Sequence, residues 1–301
     1  MLILITWLLD LWLGEPPVRL HPVIWMGNYL RWVRQRLPPT FLAGALAWLG
    51  GAIVVFGIAC LISVIFHFQF SIFNLLATAI LLKPLIAWRA LREAATEVLT
   101  APDLPAMRKM LAWHLVSRNT SALSEAEVCG ATIESVAENL SDSLIAPLFW
   151  FGLGQMLGGG DLPLGLAFAA LYRYTNTADA MWGYRTPELE YFGKWTARLD
   201  DVLNLIPSRL TALLICVCSG NARSWRIWWR DGLSTPSPNA GQPMSAAAGA
   251  LGVRLTKRNL YDLGRELPDP QKADIPRAIT LCARAAWLGV LCYALCSVLI
   301  Q

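Results

Sequence analysis

FLAGALAWLGGAIVVFGIACLISVIF, residues Phe41 to Phe66, runs without a single charged side chain. As a helix it exceeds the roughly 20 residues needed to cross a hydrocarbon core about 30 Å thick. Hydrophobic residues make up 55% of the chain and charged residues 15%, against about 45–50% and 25% in soluble globular domains. The 14 tryptophans point the same way, because Trp favours the membrane–water interface. The fold class expected is therefore all-α, a polytopic helical membrane protein with short or re-entrant helices and helical segments on the cytoplasmic side. The net charge of +4 is small, and no basic run interleaved with aromatics occurs. That combination speaks against a nucleic-acid partner and leaves membrane lipid as the surrounding medium.

On either side of this stretch the chain continues in the same idiom. Met1 to Leu13 reads as a short embedded helix ending at Gly14-Glu15-Pro16-Pro17. It lacks the basic start and the cleavage site of a signal peptide, so it is expected to be retained. Asp10 is out of place in a pure anchor. His67 to Ser71 breaks the apolar run, Ile72 to Leu82 resumes it, and Ala278 to Ile300 forms a last span. Arg31, Arg34 and Arg36 before the hairpin, and Lys83, Arg89, Arg92, Arg108 and Lys109 after it, put both flanks in the cytoplasm with the His67 turn facing out. Ile86–Thr100 and Leu104–Val116 read as amphipathic helices. Leu144–Leu157 and Leu162–Tyr174 are too short to span, since fourteen helical residues reach only about 21 Å. A re-entrant hairpin around Gly158-Gly159-Gly160-Asp161 is predicted. Short helices are expected at Ala178–Trp182 and Phe192–Asn204, a loop at Leu233–Pro243, and Ser245 as the cap of a helix over Ala246–Leu251. The seven cysteines form no metal or disulfide pattern and read as small apolar groups. One integral membrane domain over residues 1–301 is expected, organised as an embedded helix and hairpin over 1–100, a polar-motif region over 101–220, and a loop, helix and final span over 221–301.

The chemistry is concentrated between Ser117 and Arg209. Ser124 with Glu127 makes a capping box, so a helix is predicted over Ser124–Asp142, with Glu134, Glu138 and Asp142 on one stripe and Asn139 beside it. Asn176 and Asp179 follow, then Arg198, Asp200, Asp201, Asn204 and Arg209. Carboxylate and amide oxygens are hard ligands that suit Mg²⁺ shared with substrate phosphates. Arg118, Arg198 and Arg209 can grip phosphate or carboxylate with two parallel bonds. Together they suggest a metal-assisted phosphate reaction. The plainer alternatives stay open: Glu134 and Glu138 as partners of buried arginines, Asp200 as a cap, Asn176 and Asn204 satisfying backbone. His21 stands beside Arg19 and Pro22, whereas His67 and His114 suit structural roles. Gly193-Lys194 is followed by Trp195 and so is no phosphate loop, and neither a Gly-x-Ser-x-Gly elbow nor a His-Glu-x-x-His pair occurs.

Several blocks, in order, resemble the CobD/CbiB family, the membrane-bound adenosylcobinamide-phosphate synthases. They are Asp10-Leu11-Trp12-Leu13-Gly14-Glu15-Pro16-Pro17 with Arg19-Leu20-His21-Pro22, Ile133-Glu134-Ser135-Val136-Ala137-Glu138-Asn139 with Asp142, Asn176-Thr177-Ala178-Asp179, Ala197-Arg198-Leu199-Asp200-Asp201 with Asn204 and Arg209, and Ser237-Pro238-Asn239-Ala240-Gly241. Where the family usually carries Arg-Asp-Thr, this chain has Arg118-Asn119-Thr120, which puts a metal role at position 119 in doubt. The resemblance implies ATP- and Mg²⁺-dependent ligation of adenosylcobyric acid to (R)-1-amino-2-propanol or its O-phosphate in cobalamin biosynthesis. It implies a multi-pass protein of the bacterial inner membrane with its active site on the cytoplasmic side, and other enzymes of the pathway as partners.

In that frame Glu134, Glu138, Asp142, Asp200 and Asp201 are the catalytic candidates, and Glu134, Glu138, Asp200 and Asp201 the metal ligands. Arg19, His21, Arg118, Asn139, Asn176, Asp179, Arg198, Asn204, Arg209, Ser237 and Asn239 are the candidates for binding substrate and phosphate, the last two through backbone N–H groups at a helix start. One rival is a Mg²⁺-dependent membrane prenyltransferase, which would need more full-length spans. Another is a non-catalytic sensor or transporter subunit, which would place polar groups along a path at mid-membrane.

Overall fold

The computed structural model describes residues 1–66, 71–158 and 163–299, with the side chains of 71 and 297–299 left aside. In chain order the helices are α1 (Leu2–Leu13), α2 (Pro22–Arg34), α3 (Phe41–Ile65), α4 (Ser71–Leu82), α5 (Trp88–Thr100), α6 (Leu104–His114) and α7 (Glu125–Leu140). They continue with α8 (Ala146–Gly158), α9 (Gly165–Trp182), α10 (Lys194–Leu203), α11 (Leu205–Ser219), α12 (Ala222–Asp231), α13 (Gly241–Leu251) and α14 (Asp274–Leu299). Two short strands, β1 (Leu255–Lys257) and β2 (Tyr261–Leu263), pair antiparallel between α13 and α14. The protein is an all-α membrane protein in which this hairpin is the described sheet. Among the described residues, three stretches are long and apolar enough to cross a membrane: Phe41–Ile65, Ile72–Thr100 and Asp274–Cys296. The expected turn at His67 and the glycines at 159 and 160 with Asp161 lie outside the described residues.

Two compact units emerge, each drawn from separate stretches of chain. The first takes residues 1–87, 146–204 and 290–301; the second takes 88–145 and 205–289.

In the first unit, α9 packs against α2, α3, α8 and α10. The buried face of α3 is made of small residues, Gly44, Ala47, Gly51, Ala52 and Ala59, with Trp48 among them. Its large side chains, including Leu42, Leu46, Ile53, Ile58 and Leu61, point outward. That is the membrane pattern: small residues let helices approach while lipid covers the large ones. The approach is close enough that a Cβ at Gly51 would lie 2.1 Å from the Tyr174 hydroxyl. Tyr174 in turn donates to the Trp48 carbonyl at 3.3 Å, and the Trp48 indole donates to Thr175 at 3.3 Å.

The second unit centres on α7 and α13, both buried along most of their length. The capping box expected at Ser124 and Glu127 is formed. Regular α-helix ends at Leu140, and Ser141–Ile145 form a π-helical turn that contains Asp142. Such a turn rotates its residues out of a strict four-residue stripe. α13 packs on α12 through Gly249, where a Cβ would lie 2.7 Å from Ser224 Cα.

Two expectations need correction. Ser245 is not a cap: α13 starts at Gly241, and Ser245 is buried inside it, donating to the Gln242 carbonyl at 3.2 Å. Pro243 falls in the first turn, where its missing N–H costs nothing, so the predicted loop is shorter than the Pro suggested. The segments Leu162–Tyr174 and Ala178–Trp182 are not separate either. α9 runs unbroken through Thr175-Asn176-Thr177, with the Thr175 and Thr177 hydroxyls donating back to the carbonyls of Leu171 and Arg173.

Candidate active site

In the second unit the stripe on α7 carries one exceptional group. Glu134 is 5% exposed, and its Oε1 has no hydrogen-bond partner among the described residues. Burial pushes its carboxyl up to about 8, with a further push from the negative charge of Glu138, against a hydrogen bond from Tyr261 and the positive charges of Arg118 and Lys257. Tyr261 is itself held above the usual phenol range, first by burial and then by the charges of Glu134 and Glu138. The charge of Arg118 acts on this carboxyl from the turn that follows α6, and α7 is tied to the same region where Ser135 donates to the Leu115 carbonyl at 3.4 Å.

The other candidates in this unit divide by role. Glu138 and Asp142 are half-buried, and the Asn139 amide turns back to the Ser135 carbonyl at 2.9 Å. Arg209 donates to the Leu205 carbonyl at 2.8 Å, within its own helix. Ser237 and Asn239 stabilise their own loop: the Asn239 N–H donates to Ser237 at 3.3 Å, and Ser208 of α11 donates to the Asn239 side chain at 3.2 Å. The Gly241 and Gln242 N–H groups are also engaged, by the Thr235 hydroxyl and the Asn239 carbonyl. Of the N–H groups of Ser237 to Gly241 expected to receive an anion, those of Asn239 and Gly241 already have acceptors.

In the first unit Asp200 is the hub. It is 9% exposed; Asn176 donates to its Oδ1 at 3.3 Å and Asn204 to its Oδ2 at 3.0 Å. Tyr172 donates to the Asn204 side-chain Oδ1 at 2.9 Å, and Arg173 to the Asn176 side-chain Oδ1 at 3.3 Å. The i, i+4 spacing of Asp200 and Asn204 thus makes a real contact. Asp201 is half-buried and Arg198 exposed. Asp179 lies over the end of α9, its Oδ1 being 2.2 Å from where a Cβ on Gly183 would stand.

Nearer the N-terminus, Asp10 finds its reason. It is fully buried and faces Lys83 at 3.3 Å, which reaches Glu15 at 3.2 Å. His21 then meets Glu15 at 2.9 Å, while Arg19 is exposed. Burial alone would raise Glu15; the hydrogen bond from His21 and the charge of Lys83 outweigh it and hold it below the usual carboxylate range. Glu15 and Lys83 of this chain line a cavity of about 890 Å³ whose wall, apart from Tyr29 and Tyr174, is otherwise apolar, drawn largely from α1, α2, α3 and α9.

A profile of the CobD/Cbib protein family matches residues 3–282, which is nearly the whole chain. The chain belongs to the CobD/CbiB family of cobalamin-biosynthesis proteins. Among its relatives is the probable cobalamin biosynthesis protein CobD of Methanothermobacter thermautotrophicus, 42% identical over 87% of this chain and 86% of that one. The cobalamin biosynthesis protein CobD of Chromobacterium violaceum is 38% identical over 94% and 92%, and that of Yersinia enterocolitica 36% over 98% and 97%. No solved structure matches the chain.

Within this CobD/CbiB chain, sequence reasoning missed Tyr261, Lys257, Tyr172, Arg173 and Lys83. Tyr261 and Lys257 had a signal. Lys257-Arg258-Asn259-Leu260-Tyr261 has Asn where a tight turn needs positive φ, and Asn259 adopts φ 60°.

Proposed function

We propose that this chain is a ligase joining a propionate carboxyl of adenosylcobyric acid to the amine of (R)-1-amino-2-propanol or its O-phosphate. ATP is the phosphoryl donor, and the protein sits in the inner membrane with this site on its cytoplasmic side. The observation that carries the proposal is family membership over residues 3–282. The local chemistry around Glu134 supports it.

A carboxylate and an amine do not condense unaided in water. The balanced route transfers a phosphoryl group to the carboxylate, releasing ADP. The amine then displaces phosphate, and one proton must leave the nitrogen. A base for that proton works best with a pKa near the working pH. Glu134, raised to about 8 with its Oε1 unpartnered, is suited to accept it at that atom. Tyr261 fixes the carboxyl, and Arg118 supplies a guanidinium fork for phosphoryl oxygens.

Among the described residues no three His, Cys, Asp or Glu side chains group as a metal cage. Mg²⁺ is commonly held by one or two carboxylates together with substrate phosphates. Glu138, half-buried one turn beyond Glu134 on α7, fits that manner of binding and would hold it, which leaves Glu134 as the base. The ion would offset charge on the phosphoryl oxygens when bound.

The experiment is direct. Purified protein in detergent is incubated with adenosylcobyric acid, Mg-ATP, and either aminopropanol or its O-phosphate, and the corrinoid is weighed by mass spectrometry. A mass gain equal to the amine component less water supports the ligation and names the nucleophile. Unchanged corrinoid with both amines refutes it.

A further inference from the structure

The turn after α6 builds a second feature, distinct from the α7 stripe. An open pocket of about 410 Å³ lies between α6 and residues 117–121. Arg108 and Lys109 line it from the helix, and Arg118, Asn119, Thr120 and Ser121 from the turn. No carboxylate lines it among the described residues, and none of its three cations takes part in a described ion pair.

The pocket is braced. Arg108 Nε donates to the Leu123 carbonyl at 2.7 Å, and the Thr120 hydroxyl donates to the Arg108 carbonyl at 2.9 Å. These two bonds fasten the turn to the helix. The Ser121 N–H donates to Asn119 Oδ1 at 2.9 Å. With its oxygen so engaged, Asn119 offers its N–H₂ end, a donor. The wall therefore presents three positive charges and an amide donor, with neutral carbonyls as the braces.

We propose that this pocket binds a phosphoryl dianion, with Arg108, Lys109 and Arg118 as its cationic wall. A carboxylate monoanion would leave most of that charge unmet, whereas a phosphate carries two charges and enough acceptor oxygens for several donors. The volume falls within the roughly 300–1,000 Å³ of small-ligand sites. Arg118 also acts on the Glu134 carboxyl, so a phosphoryl group held here would share a cation with the proposed base. The pocket stands on its own geometry. The source of the phosphoryl group, a nucleoside triphosphate tail or the O-phosphate of the amino alcohol, rests on the ligation reading.

Titration calorimetry on the full-length protein in detergent, with ATP and with 1-amino-2-propanol O-phosphate as separate probes, tests it. The native chain should bind at least one, more weakly as salt rises. Lys109→Glu, at an exposed position, should weaken that binding about tenfold or more, and Arg118→Ala likewise. Arg265→Ala, an exposed cation lying outside this pocket, should leave it unchanged. Melting temperatures within the native range exclude misfolding, and Lys109→Met gives a milder second variant that should weaken binding in the same direction. Binding of ATP alone assigns the pocket to the nucleotide, and binding of the amino alcohol phosphate alone to the substrate. Binding of neither probe by the native chain, or equal binding by native, Lys109→Glu and Arg118→Ala proteins, overturns the pocket. The ligation reading fails separately: native protein that binds phosphate through Lys109 yet forms no amide refutes only that reading.

Discussion

Two buried carboxylates in this protein meet opposite fates. Asp200 has an amide donor on each oxygen, and one of those amides is itself held by Tyr172. Glu134 is at least as buried, yet one oxygen has no described partner and its proton is held to about 8. Burial alone does not decide what an acid does; the number and kind of donors around it do. Asp200 is braced, and the bracing joins α9 to α10. Glu134 is left able to take or release a proton close to neutral pH.

Swapping each acid for its amide sharpens the contrast most. Glu134→Gln keeps shape and fold but removes the base, so turnover in the ligation assay should drop by about 10²–10⁴ while the protein still purifies in the membrane fraction. Asp200→Asn sets an N–H₂ group against donors, so unfolding stability should fall by about 2–3 kcal/mol, read as a lower midpoint in detergent melts. Equal loss of stability in both variants would erase the distinction.

The pH dependence separates them next. The native state holds the Glu134 proton between the ordinary value of 4.5 and about 8, whereas the unfolded chain releases it. The contribution of Glu134 to native stability should therefore be greatest below the lower value. It should decline by up to about 1.4 kcal/mol per pH unit as pH rises through that window. Melts of Glu134→Gln across the same range should lack this decline, and Asp200→Asn should keep it. Smallest is Tyr172→Phe, which removes one donor from the Asp200 cluster. About 1 kcal/mol of stability should be lost, with turnover little changed.

How much of this could be read from the letters depended on distance along the chain. Local signals carried through: the apolar run of α3, the capping box of α7, the Arg89–Glu93 ion pair at 2.7 Å and the Asp200–Asn204 contact all lie within one span or a single turn. Asp10 was visible as an anomaly, but its partner Lys83 comes from a distant helix end. Tyr261 escaped for the same reason, since only the fold brings the β1–β2 hairpin to α7. The polar run Thr175-Asn176-Thr177 looked like a break because polarity was read as a boundary. Inside the packed unit those hydroxyls bond back to their own helix, and the helix continues. Pro243 misled in the same manner by looking like a stop while sitting in a first turn.

The central claim is that burial without a full set of donors holds the Glu134 proton well above the usual carboxylate range. Infrared spectroscopy in H₂O and D₂O reports the C=O stretch of a buried carboxylic acid. At pH 7 the native protein and Asp200→Asn should show such a band, fading as pH passes about 8, and Glu134→Gln should lack it. A band that survives in Glu134→Gln, or none in the native protein at pH 7, would contradict the account.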